Sequence, residues 1–555
     1  MASIAPYAGT LDRRLAAHLL RRCTFGPTQA EIDAFDGLPA SQALDQLFAM
    51  PPLPAHPADP ATGQTWVVSG RTNANAPNAD LERIINSWFL HQVFDPAQPV
   101  SLFPKLVFFL HTCLPTGHND IIHSENFYYT IRLFMHLAAQ GTGSYQKLAL
   151  KICLDNGMNN YLDIGDSEAG NPNENFVREF FELHTVGKGA TIGVGDYTTF
   201  TEQDVMEAAR LLTGYRLSND WDDPTRMDPD TGLPRCWFDV GKHDTTDKLF
   251  SHAFDYTVIT GRATVQGMLD EVSEFVDMIF LQENTARHLA RRMYRFFVRY
   301  QIDQEIENDI IAPLAQYLMN NQYEVIPALR LLLGSQHFFD QDDADSGDEV
   351  IGALIKSPME LQTGILRFFG TPIPDPAVDL FHAYVTFYGD LQEGLHKACF
   401  DLFEPPEVAG YQPVYQPPEY NRLWISAKSI APRYQMAEEI ISGPSHLQVD
   451  LVAWVADPAH VPDFPGPDAQ GNPGPHPGAR ISRHLVETLL AYLLPEAVPP
   501  ARLDHFEQLL LDTLSPINWM FEWDHFTNTN DATNIRPQVE KLIRGILQSP
   551  EYQLG

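Results

Sequence analysis

Cysteine is scarce in this 555-residue chain, and what there is cannot build a framework. Cys23, Cys113, Cys153, Cys236 and Cys399 are odd in number, far apart, and contain no Cys-x-x-Cys pair. This argues against a disulfide-stapled fold and against a cysteine zinc site, and free thiols fit a reducing compartment. Long apolar runs are missing too. Runs such as Leu106–Leu110 are far short of a membrane span. The chain opens Met1-Ala2-Ser3-Ile4-Ala5-Pro6 and soon reaches Asp12-Arg13-Arg14, without an apolar stretch of leader length. As written it is expected in the cytoplasm, or outside the cell if a leader has been removed.

Positive charge is the third shortage. Lys and Arg number 37 against 72 Asp and Glu, a formal net charge of −35. Such a surface repels phosphate backbones and anionic membranes, so nucleic acid is not an expected partner. Several catalytic signatures are also absent: no Gly-x-Ser-x-Gly elbow, no His-Glu-x-x-His, no Walker A loop and no dinucleotide fingerprint. The glycines at 187, 189, 193 and 195 have the wrong spacing for a phosphate cradle, and no strand precedes them.

What is present is globular material. Hydrophobic residues make up 44% of the chain and aromatics 11%, enough for a large core. The dominant period is helical. It predicts helices near 11–20, 81–95, 101–112, 126–139, 202–213, 267–281, 285–300, 311–319, 325–334, 357–369, 426–441, 481–493, 503–513 and 536–547. Strand alternation is short and rare, best at Val67-Val68 and Tyr384–Tyr388. The expected fold is all-α, a large irregular multi-helix body forming one unit over residues 1–555. Residues 51–80 and 217–262 read as loop insertions, and 457–479 as a Pro/Gly-rich loop or linker. No fixed-period repeat is present, which argues against a solenoid.

The best-punctuated segment runs from Asn171 to Gly187. Asn171 suits a helix cap, Pro172 the first turn, Glu174 the third position after the cap, and Gly187 the close. At 100° per residue, Asn175, Arg178, Glu179 and Glu182 share one stripe. Phe176, Val177, Phe180, Phe181, Leu183 and His184 cover the opposite arc. Two readings stay open. The stripe faces water, with Arg178 and Glu182 as an i,i+4 pair. Alternatively it faces a pocket, where two carboxylates flanking a guanidinium bind metal or substrate. The next helix opens at Thr201, with Asp204 completing a capping box.

These residues carry a resemblance. Asn173-Glu174-Asn175-Phe176-Val177-Arg178-Glu179-Phe180-Phe181-Glu182-Leu183-His184-Thr185-Val186-Gly187, then Ala208-Ala209-Arg210-Leu211-Leu212-Thr213-Gly214-Tyr215, resemble the bacterial family called "domain of unknown function 1800". Other blocks agree in order: His18 to Thr28, Tyr161-Leu162-Asp163, Phe238-Asp239 with His243-Asp244, Thr285 to Arg292, Lys356-Ser357-Pro358-Met359-Glu360-Leu361, Trp424-Ile425-Ser426, and Ser549-Pro550-Glu551-Tyr552-Gln553. The resemblance implies a mostly helical bacterial protein, often exported, often encoded beside a sulfatase-like partner, with no established catalytic residue. The family usually has a histidine-rich stretch after a Phe-Trp pair. Here Phe108-Phe109-Leu110-His111-Thr112-Cys113 keeps at most one histidine.

Three further features invite ligand readings. His111, His118, His123 and His136 cluster in sequence, and imidazoles are common metal ligands. The acidic run at 340–349 misses EF-hand spacing because Ala344 falls where an oxygen ligand belongs. Arg287, Arg291, Arg292, Arg295 and Arg299 make a basic stripe, either paired with local carboxylates or forming an anion-binding wall.

Two functional classes are compatible with these residues. One is an acid–base or metal-assisted enzyme, a hydrolase by expectation. Its catalytic groups would be Arg178, Glu179, Glu182, His184, His243 and Asp244. A divalent metal would sit on Glu179, Glu182, His184 and His111, and the substrate would be a small or anionic molecule. The other is a non-catalytic binding or assembly protein acting with a partner, such as a sulfatase-like protein.

Overall fold

The computed structural model describes residues 1–67, 81–117, 124–140, 143–218, 220–221, 223–343 and 349–555. The chain is mostly helical. The described residues also hold two small antiparallel sheets, Tyr215–Arg216 with Trp237–Phe238 and Lys248–Leu249 with Val258–Ile259. Both lie around the 217–262 segment, which carries short 3-10 turns besides. No helix among the described residues is long and apolar enough to cross a membrane.

The periodic segments become helices with ends shifted by a few residues: Leu81–Phe94, Phe103–Cys113, Val265–Phe280, Glu283–Phe297, Pro358–Phe368 and Arg536–Leu547 among them. Tyr384–Tyr388 is not a strand. It lies in a π turn, His382–Phe387, leading into the Tyr388–Lys397 helix. Its alternation is that of a wide helical turn burying Ala383, Tyr384 and Phe387. Val68 lies outside the described residues, as do His118, His123 and residues 344–348 of the acidic run.

The chain forms two compact units. The first comprises Met1–Tyr7, Leu44–Ala344 and Asp401–Tyr420; the second comprises Ala8–Ala43, Asp345–Phe400 and Asn421–Gly555. In the first unit, Phe181 is packed by Phe200 at 5.4 Å, Phe254 at 5.4 Å and Phe275 at 5.7 Å between ring centroids. Each such ring, fully buried, stabilises by about 1.5–3 kcal/mol. The 401–420 segment adds Phe403, whose ring meets Phe89 at 4.7 Å, and Tyr411, whose ring meets Phe108 at 5.8 Å. In the second unit, Gly26 approaches Gly364 so closely that a Cβ would stand 2.3 Å from the Gly364 Cα.

Candidate functional site

The 171–187 segment begins its helix later than its caps suggest. Asn173, not Asn171, makes the turn: its side chain accepts from the Asn175 N–H at 2.9 Å and donates to the Asp163 carbonyl at 2.8 Å. An Asn side chain that mimics a backbone turn two residues on outcompetes an earlier helix start. The α-helix then covers only Asn175–Glu179, and a π turn covers Phe180–His184. The wide turn is closed by the Thr185 hydroxyl donating to the Phe180 carbonyl at 2.6 Å and by Gly187 N–H donating to Phe181 at 2.9 Å. Gly187 has φ +74°, and a Cβ there would lie 2.6 Å from His288 Nδ1. Glycine therefore serves both the turn and the close seat of that imidazole.

The charged stripe is engaged locally. Arg178 forks onto Glu202 with bonds of 3.0 and 2.8 Å, and reaches Glu174 at 3.2 Å. The expected Arg178–Glu182 pair does not form. Glu182 pairs with Lys188 at 2.5 Å, because the π turn breaks the i,i+4 alignment and Glu202 offers the better bidentate geometry. The Arg178 bonds hold the Glu202 carboxyl below its usual range against burial. Glu179 is half-buried and has no hydrogen bond or ion pair among the described residues. Burial pushes its carboxyl up, Glu182 adds to this, and Lys188 and Arg178 oppose it. The stripe begins at an open depression of about 450 Å³ lined by Asp163, Asp166, Asn171, Asn173, Glu174 and Asn175. Glu179 and Glu182 do not line it.

His243 and Asp244 belong to a different network. His243 is buried, with Nδ1 2.9 Å from the Thr213 carbonyl and Nε2 3.2 Å from Glu271. Lys248, also buried, bonds Glu271 at 2.6 Å. Asp244 takes Arg210 at 2.9 Å. Burial alone would raise the Asp244 carboxyl, but bonds from Arg210 and Thr246 hold it well below the carboxylate range. The stripe and this network attach to opposite ends of the Glu202–Leu211 helix, through Glu202 and Arg210. That is about 12 Å along the axis at 1.5 Å per residue.

His111 is buried against Phe403 and Phe134, with Nε2 2.8 Å from the Thr116 carbonyl. His136 bonds Gln140 at 2.9 Å. Among the described residues no three His, Cys, Asp or Glu side chains gather closely enough to hold a metal ion. Glu179, Glu182, His184 and His111 thus form no such group.

His184 instead meets the basic stripe. It is 1% exposed, and neither ring nitrogen has a hydrogen-bond partner among the described residues. Burial, with help from Arg292 and His288, pushes its pKa down to about 3, so the ring is neutral. His288 donates Nε2–H to the Leu183 carbonyl at 2.9 Å and is pushed down to about 3 by burial and Arg292. Arg292 donates to the same carbonyl at 3.1 Å and to the Thr112 carbonyl. Arg295 lies 4.4 Å over the Tyr420 ring, and burial lowers its pKa. The Nε atoms of both arginines have no partner among the described residues. Arg287 and Arg291, by contrast, are tied to Glu307 at 2.9 and 2.5 Å. Burial also pushes the Cys113 thiol up, against Arg292, so it is a poor nucleophile at neutral pH. The stripe's i+4 spacing was legible in sequence. Its meeting with His184 depends on residues more than a hundred apart.

These features define a class: a large, mostly helical protein with an ion-paired central helix and an arginine face beside it. The chain belongs to the family described as "Protein of unknown function (DUF1800)", which matches residues 18–554, nearly its whole length. No curated protein and no solved structure matches it.

Proposed function

We propose that the protein binds an anionic group, on a small molecule or a partner protein, at the Arg292–Arg295 face of the first unit. In this reading the 171–187 segment positions that face and does no chemistry itself. The supporting observation is an imbalance. In a chain with twice as many acids as bases, Arg178, Arg210, Arg287 and Arg291 all take carboxylates, while Arg292 and Arg295 take none among the described residues. Arg292 is fixed by the carbonyls of Leu183 and Thr112, so part of its guanidinium is preorganised toward a ligand. Calorimetric titration of the full chain with sulfate tests this. Arg292→Gln and Arg295→Gln are expected to weaken binding at least ten-fold, and Arg287→Gln to leave it unchanged. Equal affinity in all four proteins would remove the assignment. The sulfatase-like neighbour that the family resemblance implies is the first protein partner to try.

A second reading, the acid–base enzyme, rests on Glu179, the one carboxylate of the stripe with no partner among the described residues and a raised pKa. Its test is a panel of chromogenic ester and phosphoester substrates: any turnover must vanish in Glu179→Gln while the fold persists. The metal-assisted form requires a stoichiometric divalent metal in the purified protein, lost when Glu182 or His184 is replaced.

A further inference from the structure

Three blocks of the family resemblance meet in the second unit, around cations that the first-unit reading does not use. Lys356, from the Lys-Ser-Pro block, is half-buried. Its Nζ donates to the Tyr552 carbonyl at 2.7 Å and stands 3.7 Å from the Tyr552 ring centroid. Arg433 is 1% exposed; its Nε donates to Gln553 at 3.0 Å and its Nη2 to the Lys356 carbonyl at 2.8 Å. Arg21, from the opening block, is buried and donates to the Tyr492 carbonyl at 2.6 Å.

None of these three cations has a carboxylate at ion-pair distance among the described residues, and Arg433 Nη1 has no hydrogen-bond partner there. Glu360, the acid that Lys356 and Arg433 both feel, is engaged at a helix start, accepting from the Ser357 N–H at 2.6 Å. Burial pushes Lys356 well below its usual range, and Arg21 and Arg433 push it further. Burial likewise pushes Arg21 and Arg433 down to about 10. Like charges crowded in a desolvated place are costly unless an opposite charge joins them.

We propose that Arg21, Lys356 and Arg433 form a binding site for a compact oxyanion: a phosphate, sulfate or carboxylate group. Guanidinium and ammonium donors are the groups that recognise such oxygens. The Arg433 Nη1 hydrogens and the remaining Lys356 hydrogens are the donors available. The site stands apart from the Arg292–Arg295 reading and does not rest on it. It also carries a signature of its own. Arg21, Arg433 and burial disfavour the ammonium of Lys356, Glu360 partly opposes them, and a bound anion restores it. Anion binding therefore raises the affinity of Lys356 for its proton.

The experiment is calorimetry of the full chain with inorganic phosphate, run from neutral pH up to the ordinary lysine range and repeated at each pH in two buffers of different ionisation heat. Saturable binding with net proton uptake is expected. Arg433→Gln is expected to weaken it at least ten-fold. Lys356→Arg, whose charge is permanent, is expected to keep binding and lose the proton uptake, which decides the matter even if Arg433→Gln does not fold. Arg292→Gln, in the first unit, leaves this site intact and separates the two anion sites. No saturable phosphate binding, or binding unchanged in affinity by Arg433→Gln and in proton uptake by Lys356→Arg, overturns the proposal.

Discussion

Glu271 shows how the same ion-pair language means different things at different depths. It is wholly buried between His243 and Lys248, so removing its charge leaves a desolvated ammonium without a counter-ion. Glu271→Gln is expected to destabilise by about 3 kcal/mol or more at neutral pH. Burial alone would raise this carboxyl, but the bonds from His243 and Lys248 bring it below its usual range. Its contribution is therefore present above the unfolded carboxyl value, about 4.3, and is lost as pH falls through the lower folded value. Urea unfolding should show a large gap between the variant and the parent at pH 7 that closes toward pH 3. A gap that stays constant would mean another cause. Arg178 with Glu202 is the opposite case. Both side chains are a third or more exposed, so the pair stabilises by roughly 1 kcal/mol at most. The sequence made every one of these side chains visible, but not their pairing. Arg178 faced a choice among Glu174, Glu182 and Glu202, and Glu202 prevails through a helix packed alongside. Lys248 carried no sign in sequence of its buried partner 23 residues on.

At the level of elements, helical periodicity was legible wherever a helix buries one clean face, as in Glu283–Phe297. It failed in two ways. A helix as short as Asn156–Tyr161 has too few apolar residues to show a stripe. The π turns at Phe180–His184 and His382–Phe387 shift the phase, so a 100° wheel misplaces the residues beyond them. The opening block also held an element-level fact that spacing alone does not reveal. Gly26 has φ +115° and touches the backbone of Gly364 on the Pro358–Phe368 helix. Arg367 and Thr363 of that helix hold the carbonyls of Gly26 and Phe25. Gly26→Ala is therefore expected to force the two elements apart and cost about 2 kcal/mol or more. The midpoint of thermal unfolding checks this; an unchanged midpoint would show that the contact has room to give.

At the scale of the whole chain, the polypeptide weaves between two compact units. It leaves the first unit after residue 344 and returns to it only for Asp401–Tyr420. That return supplies Phe403 to Phe89 and His111, Tyr411 to Phe108, and Tyr420 to Arg295. A fragment of residues 44–344 is expected to lack a cooperative unfolding transition, and adding 401–420 as a peptide is expected to restore part of it. Calorimetry of the two samples is the check. A sharp transition in the fragment alone would show that the returning segment is dispensable.

The same weave sets a schedule for biosynthesis. The ribosome finishes residue 344 roughly 75 residues before Tyr420, a delay of about 4–15 s at common elongation rates. Throughout that interval Phe89, Phe108 and His111 lack the aromatic rings that cover them in the finished protein. The nascent chain thus carries these side chains without those partners on a clock set by translation. Its yield in a cell should depend on chaperones that shield exposed apolar side chains until the last segment arrives.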